Sequence, residues 1–408
     1  MSDPRRYRWY VLAASVLMLL MANGAMFLII VAMADISETF NWPRGVPSTA
    51  YAMQFVGGGL GCIAMGWWLD RAGMGKPALL GAIMIGSGAI LTGMISSRWE
   101  LWAIYGVMIG LLGTAAMFAP LMANITRWFD RNRGMAVGLV ASGQSLAGFI
   151  WPPIFELGLT EIGWRATYVY YGIATILVMV PLSLVLRRSP PPIDHHTVSG
   201  GSAAPGRSAT IYRLRPNSLL ALLCCAIVGC CIAMSLPLAH LKVYATDVGI
   251  APMQAATLLS VMLLASFVAR AVFAGLLIGR FGALKALFLF SVIQVAMLTV
   301  LPFIQGLMAF YVVAAVFGFG YGGIGPCYPV IVREYLPERR AGRYTGIVVM
   351  FGTFGMAIGG WLGGFGYDMT GSYTSAFLAG TAFNVANLLI IGFLIGLTRT
   401  PSLRHAPA

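Results

Sequence analysis

A guanidinium inside an apolar run is the first feature of this sequence that carries chemistry. Arg270 lies in Leu263-Leu264-Ala265-Ser266-Phe267-Val268-Ala269-Arg270-Ala271-Val272-Phe273-Ala274-Gly275, whereas every other Lys and Arg falls at or near the end of such a run. A bare charge in hydrocarbon costs roughly 3 to more than 10 kcal/mol, so an ionisable residue at that depth is by default a functional candidate. Its planar fork of donors can hold a carboxylate bidentately. His240, in Ser235-Leu236-Pro237-Leu238-Ala239-His240-Leu241-Lys242, is the second candidate, because an imidazole can gate access or take a proton near neutrality. Asn23, Phe27, Gln54, Phe118, Gln144 and Phe351 could supply the few polar and aromatic contacts of a pocket around a small acid. The stretch Gly318-Phe319-Gly320-Tyr321-Gly322-Gly323-Ile324-Gly325-Pro326-Cys327-Tyr328-Pro329 is irregular enough to expose backbone there.

The elements that must position these groups are membrane helices. With 59% hydrophobic and 10% charged residues, the 408-residue chain is far more apolar than a soluble globular protein. Segments long enough to cross the hydrocarbon as helices are expected at 9–35, 47–69, 77–96, 99–125, 134–158, 164–187, 217–243, 253–278, 283–304, 306–332, 343–366 and 372–398. The expected fold class is an all-α membrane protein with twelve transmembrane helices. At about 1.5 Å per residue, Arg270 lies roughly 6 Å from the centre of the eighth span.

The net charge of +13 follows from topology and does not require a nucleic-acid partner. With both termini inside, all the basic residues except Arg44, Arg98, Arg165, Lys242 and Arg270 fall on the inner side, which is the positive-inside pattern of an even number of spans. The run from Trp9 to Val31 is longer than the apolar core of a cleaved signal and reads as the first span. The six cysteines lie within apolar segments without metal-ligand spacing. No nucleophile–base pair, metal cluster or phosphate loop stands out, so no enzyme, cofactor or metal is expected.

Between Arg187 and Pro216 the Pro-, Gly- and Ser-rich stretch with His195 and His196 reads as a solvated linker. It separates an N-terminal six-helix half, 1–187, from a C-terminal half, 217–408, with the linker over 188–216. The halves repeat each other. Gly66-Trp67-Trp68-Leu69-Asp70-Arg71-Ala72-Gly73 recurs as Gly275-Leu276-Leu277-Ile278-Gly279-Arg280-Phe281-Gly282, and Arg131-Asn132-Arg133-Gly134 recurs as Arg339-Arg340-Ala341-Gly342. Two parallel six-helix repeats with a site near the midplane between them form a rocker-type carrier architecture.

The repeated loop resembles the G-x-x-x-D-R-x-G signature of the major facilitator superfamily, with Gly279 in place of the Asp in the second copy. Within that superfamily, Trp128-Phe129-Asp130-Arg131-Asn132-Arg133-Gly134-Met135-Ala136-Val137-Gly138 and Gly163-Trp164-Arg165 resemble monocarboxylate transporters. Arg270 followed by Gly275 matches the helix-8 arginine that binds carboxylate in that family and in the related bacterial oxalate/formate exchangers. The resemblance also places Tyr321 at an aromatic position lining the exchanger's cavity and sets His240 beside a similar histidine of the bacterial relatives. It departs at Ser266, where animal members carry an Asp, in the first span, which has no Lys, and in Val348–Phe354, where the exchanger's second cation is absent.

One buried cation matches one carboxylate, because a dianion would leave a charge uncompensated in a low dielectric. The expectation is therefore a carrier of small monocarboxylates resembling lactate or pyruvate, working by alternating access. The resemblance favours proton-linked symport, and an organic-anion exchanger of the oxalate/formate type is the alternative. Asp70, Arg71, Arg131, Arg133 and Arg280 are expected to form charge contacts that open and close the cytoplasmic side. The expected setting is a bacterial inner membrane with both termini cytoplasmic, and the expected partners are the small acid, protons and the bilayer, with the chain monomeric.

Overall fold

A computed structural model describes residues 4–129, 133–188, 214–337 and 341–398. The linker expected at 188–216 therefore lies almost entirely outside the described residues, as does Arg131. The chain is helical from α1 (Pro4–Val31) and α2 (Met33–Phe40) through α3 (Gly45–Ala72) and α4 (Gly75–Thr92). Next come α5 (Arg98–Ala103), a π-helical stretch (Ile104–Gly113), α6 (Phe118–Trp128) and α7 (Arg133–Val185). The second half begins with α8 (Pro216–Asp247) and α9 (Pro252–Val268), then a π turn (Ala269–Phe273) leading into α10 (Ala274–Phe281). It ends with α11 (Ala283–Val300), α12 (Leu307–Tyr335), α13 (Ala341–Thr370) and α14 (Thr374–Leu397).

Eleven of these stretches are long and apolar enough to cross a membrane. The longest, α7, bends at Gly163, whose φ of 79° and ψ of 161° lie outside helical space and in a region that a residue without Cβ adopts freely. It therefore crosses twice, which gives the twelve spans expected. The first span ends earlier than its hydropathy suggests, at Val31, and the chain continues as the short α2.

Each half packs around one central helix. α1 and α8 are the most enclosed spans, whereas α14 leaves most of its surface outward. In hydrocarbon an outward Leu costs nothing, so association relies on close packing of small residues. A Cβ on Gly318 or Gly322 of α12 would overlap the carbonyls of Met262 and Ser266 in α9, and one on Gly57 or Gly61 of α3 would overlap those of Gly106 and Leu111 in the π-helical stretch. The two halves meet mainly where α3 lies on α13 and where α7 lies on α9.

Candidate substrate site

Arg270 sits in the π turn Ala269–Phe273, between α9 and α10. Such a turn inserts an extra residue into the helical ladder and recurs at functional positions. The guanidinium passes α12 at Gly325, where a Cβ would stand 4.0 Å from Nη2, and the Tyr321 phenol one turn earlier lies close enough to interact with its charge. Nε is buried without a hydrogen-bond partner, and among the described residues no carboxylate pairs with Arg270. The cation noted in the sequence thus has no counter-ion among the described residues.

A cavity of about 820 Å³ opens toward the face on which α1 begins and α14 ends, here called inner. Asn23 of α1, Gln54 of α3, Phe118 of α6 and Gln144 of α7 all line it, with Cys62, Thr114, Thr353 and, at its mouth, Arg343. Asn23 donates to the Leu19 carbonyl at 2.8 Å. Gln54 is buried and its Oε1 has no partner, so it offers an acceptor to whatever fills the space. Phe118 is 40% exposed into the cavity.

Five expected residues are not among those that line it: Arg270 and Tyr321, which meet between the π turn and α12, and Phe27, Phe351 and His240. Phe27 is buried, with its ring against Gly148 of α7 where Leu263 of α9 also packs, and it does not line the cavity. Phe351 is exposed but does not line the cavity. His240 is fully enclosed on the outer side: its Nε2 lies 2.7 Å from the Gly360 carbonyl of α13, its ring stacks near Tyr373, and Nδ1 has no partner. Of the inner-face residues, Arg71 lies over Trp67 at 3.7 Å and Arg280 over Phe281 at 5.7 Å, each on its own helix. Asp70 and Arg133 fall in helices α3 and α7.

Several contacts were missed at the level of sequence. Tyr51 of α3, one turn before Gln54, reaches across the halves: Ser235 Oγ of α8 lies 3.1 Å from its hydroxyl and donates to the Met356 carbonyl of α13. On the outer side the halves are joined by charge. Arg44, ahead of α3, forms a two-pronged ion pair with Asp247 of α8, its second prong at 2.8 Å, and stacks on Tyr367 at 3.9 Å. Burial lowers the affinity of this guanidinium for its proton, but the bond to Asp247 and the nearby Tyr373 outweigh that and hold it above the ordinary arginine value. Asp368 of α13 accepts from the backbone N–H groups of Arg44 and Gly45 at 2.9 and 2.7 Å, capping α3 from the other half. Deeper, Lys242 Nζ of α8 lies 3.0 Å from Glu156 Oε2 of α7 and donates to the Val31 carbonyl of α1. Of the basic residues of the outer segments, Arg44 and Lys242 meet acids of the opposite half, whereas Arg165 donates to the Gly93 and Ile95 carbonyls of its own half.

The cavity thus opens at the inner face, while the ion pairs between the halves lie toward the outer face. The sequence matches the Major Facilitator Superfamily over residues 14–359 and 221–408. It is 28% identical over 315 residues to monocarboxylate transporter 13 of Rattus norvegicus, which covers 76% of this chain and 71% of the relative. It is 26% identical to the human monocarboxylate transporter 11 over 94% of this chain and 82% of that one, and 22% identical to the MFS-type transporter YcxA of Bacillus subtilis over 90% of each. Among solved structures, a bacterial homologue of the lysosomal transporter Spinster in an inward-facing, unoccupied conformation superposes with a TM-score of 0.72 at 17% identity, covering 98% of this chain and 100% of that one. A mutant of the nucleoside transporter NupG gives 0.75 at 11%, over 96% and 100%. Repeat, span count, fold and sequence agree, and the chain belongs to the major facilitator superfamily of membrane transporters, with monocarboxylate transporters among its relatives.

Proposed function

We propose that this protein carries small monocarboxylates of the lactate or pyruvate type by alternating access, linked to proton movement, with Arg270 as the carboxylate-binding group. The observation that carries the reading is the Arg270 guanidinium in the interior of the bundle, whose buried Nε has no hydrogen-bond partner and which pairs with no carboxylate among the described residues. A cation held there without a counter-ion is stabilised when a carboxylate arrives, and the bidentate geometry favours that ligand over others. The names of the relatives support the same substrate class. Tyr321, Asn23, Gln54, Phe118 and Gln144 would bound the rest of the acid, and Asp70, Arg71, Arg131, Arg133 and Arg280 would join the inner faces when the cavity closes. On this reading the inner face is the cytoplasmic face of a bacterial plasma membrane.

The test is uptake of labelled L-lactate into liposomes containing the purified protein, with and without an inward proton gradient. Gradient-driven uptake that is lost in Arg270→Ala supports proton-linked transport. Uptake that ignores the gradient but requires carboxylate inside makes the protein an exchanger, and full uptake by the variant removes Arg270 from the site.

A further inference from the structure

Among the described residues that line the inner cavity, Arg343 of α13 carries the charge and the others are neutral. It stands at the mouth, is exposed, and makes no ion pair with an acid among the described residues. Arg270 does not line this cavity, so an anion entering from the inner water meets Arg343 first. The position also breaks the internal repeat. Arg131-Asn132-Arg133-Gly134 answers Arg339-Arg340-Ala341-Gly342, and the next residue is Met135 in one half and Arg343 in the other. Met135 does not line the cavity, so the charge belongs to one wall alone. Its depth follows from the packing of α3 on α13. The two run antiparallel: Asp368, near the end of α13, caps the start of α3, and a Cβ on Gly59 would stand 3.4 Å from Thr353. At about 1.5 Å per residue, Arg343 lies roughly 15 Å from Thr353 toward the inner face, and Cys62 of α3 lies roughly 4.5 Å from Gly59 in the same direction. The wall around them includes Ile63, Gly346, Ile347, Val349 and Met350. Apolar walls focus the field of a charge along a cleft, so the potential of Arg343 reaches inward to Cys62.

We infer that Arg343 is an entry station for the carboxylate at the inner face: it draws the anion into the cavity and gives it up to Arg270 as the halves close. An exposed guanidinium suits capture and release, because its attraction acts over several ångströms while water and salt keep the pair weak. On the outer side, Arg44 and Lys242 are paired with acids and do not line the cavity. Loading from the inner face therefore has a charge-steered step that these residues do not supply from the outer face. The inference rests on the carboxylate reading of the site and adds to it the residue that loads it from within.

The test uses Cys62, which lines the same cavity, as a probe of charge. The purified protein in a neutral detergent is treated with the anionic 2-sulfonatoethyl and the cationic 2-trimethylammonioethyl methanethiosulfonates, with Cys62→Ser as the blank. The anion-to-cation ratio of rates, divided by the same ratio for free 2-mercaptoethanol, cancels the reactivity of the thiol itself. In the wild type at low salt it should exceed one by roughly tenfold, and it should shrink as salt is added. It should fall close to one in Arg343→Gln and Arg343→Met and survive in Arg343→Lys. A wild-type ratio at or below one overturns the inference even if a variant fails to fold, and so does a ratio that Arg343→Gln leaves unmoved. In liposomes, Arg343→Gln should raise KM for L-lactate presented at the inner face several-fold more than at the outer face. An equal change at both faces would make Arg343 a gate residue and sink the station. If lactate is not carried, or if Arg270→Ala carries it fully, the proposed function falls while the Cys62 ratio still decides this inference.

Discussion

Replacing Arg270 with Ala should abolish transport without harming the fold, and the two effects can be worked out separately. In the carrier with substrate bound, the guanidinium and a carboxylate form a charge pair away from water. Truncating one partner of such a pair costs about 2–5 kcal/mol or more, which at about 1.4 kcal/mol per decade is roughly a 30- to several-thousand-fold loss in kcat/KM. Arg270→Lys keeps the charge and loses one of two parallel charged hydrogen bonds, about 1.5–3 kcal/mol, so its loss is about 10- to 150-fold. In the empty carrier the sign reverses. Nε has no partner and no acid pairs with the group among the described residues, and each buried unsatisfied donor costs about 1–3 kcal/mol. The unfolding temperature of Arg270→Ala should therefore hold or rise. Uptake assays and thermal unfolding of the same purified variants separate the effects. A variant that melts several degrees lower yet transports normally per folded molecule would refute the reasoning, because Arg270 would then be a structural group.

Three further changes probe the scaffold. Gly318→Ala pushes a methyl into the Met262 carbonyl, and overpacking of this kind should cost about 1–3 kcal/mol, read as a lower unfolding temperature in detergent. Asp368→Ala removes the acceptor for two N–H groups at the start of α3; loss of a cap costs about 0.5–2 kcal/mol, and the outer ends should also become more open to thiol reagents. Within the second half, Asn384 donates to Gln294 at 2.8 Å and accepts from Asn387 at 2.9 Å, all three buried. Asn384→Leu should lower stability by about 1–2 kcal/mol, and adding Gln294→Leu should recover part of the loss because no orphaned amide oxygen then remains. If the double variant is instead additive, the amides do not act as one network.

What could be read from the sequence was local or periodic: spans set by the thickness of hydrocarbon, orientation set by where basic residues fall, and a fold announced by one loop occurring twice. Arg270 was legible for the same reason, since a charge in an apolar run is anomalous whatever surrounds it. The tertiary structure decided everything that depends on which face of a helix looks where. Lipid and protein interior are equally apolar, so periodicity could not tell that Gln54 and Phe118 meet the cavity while Phe27 does not, or that Tyr51 crosses to Ser235. The outer ion pairs were hidden because each joins residues far apart in the chain: Arg44 with Asp247, Glu156 with Lys242. Lys242 reads as an end-of-span topology charge, and only the approach of α7 and α1 to α8 gives it two partners away from water.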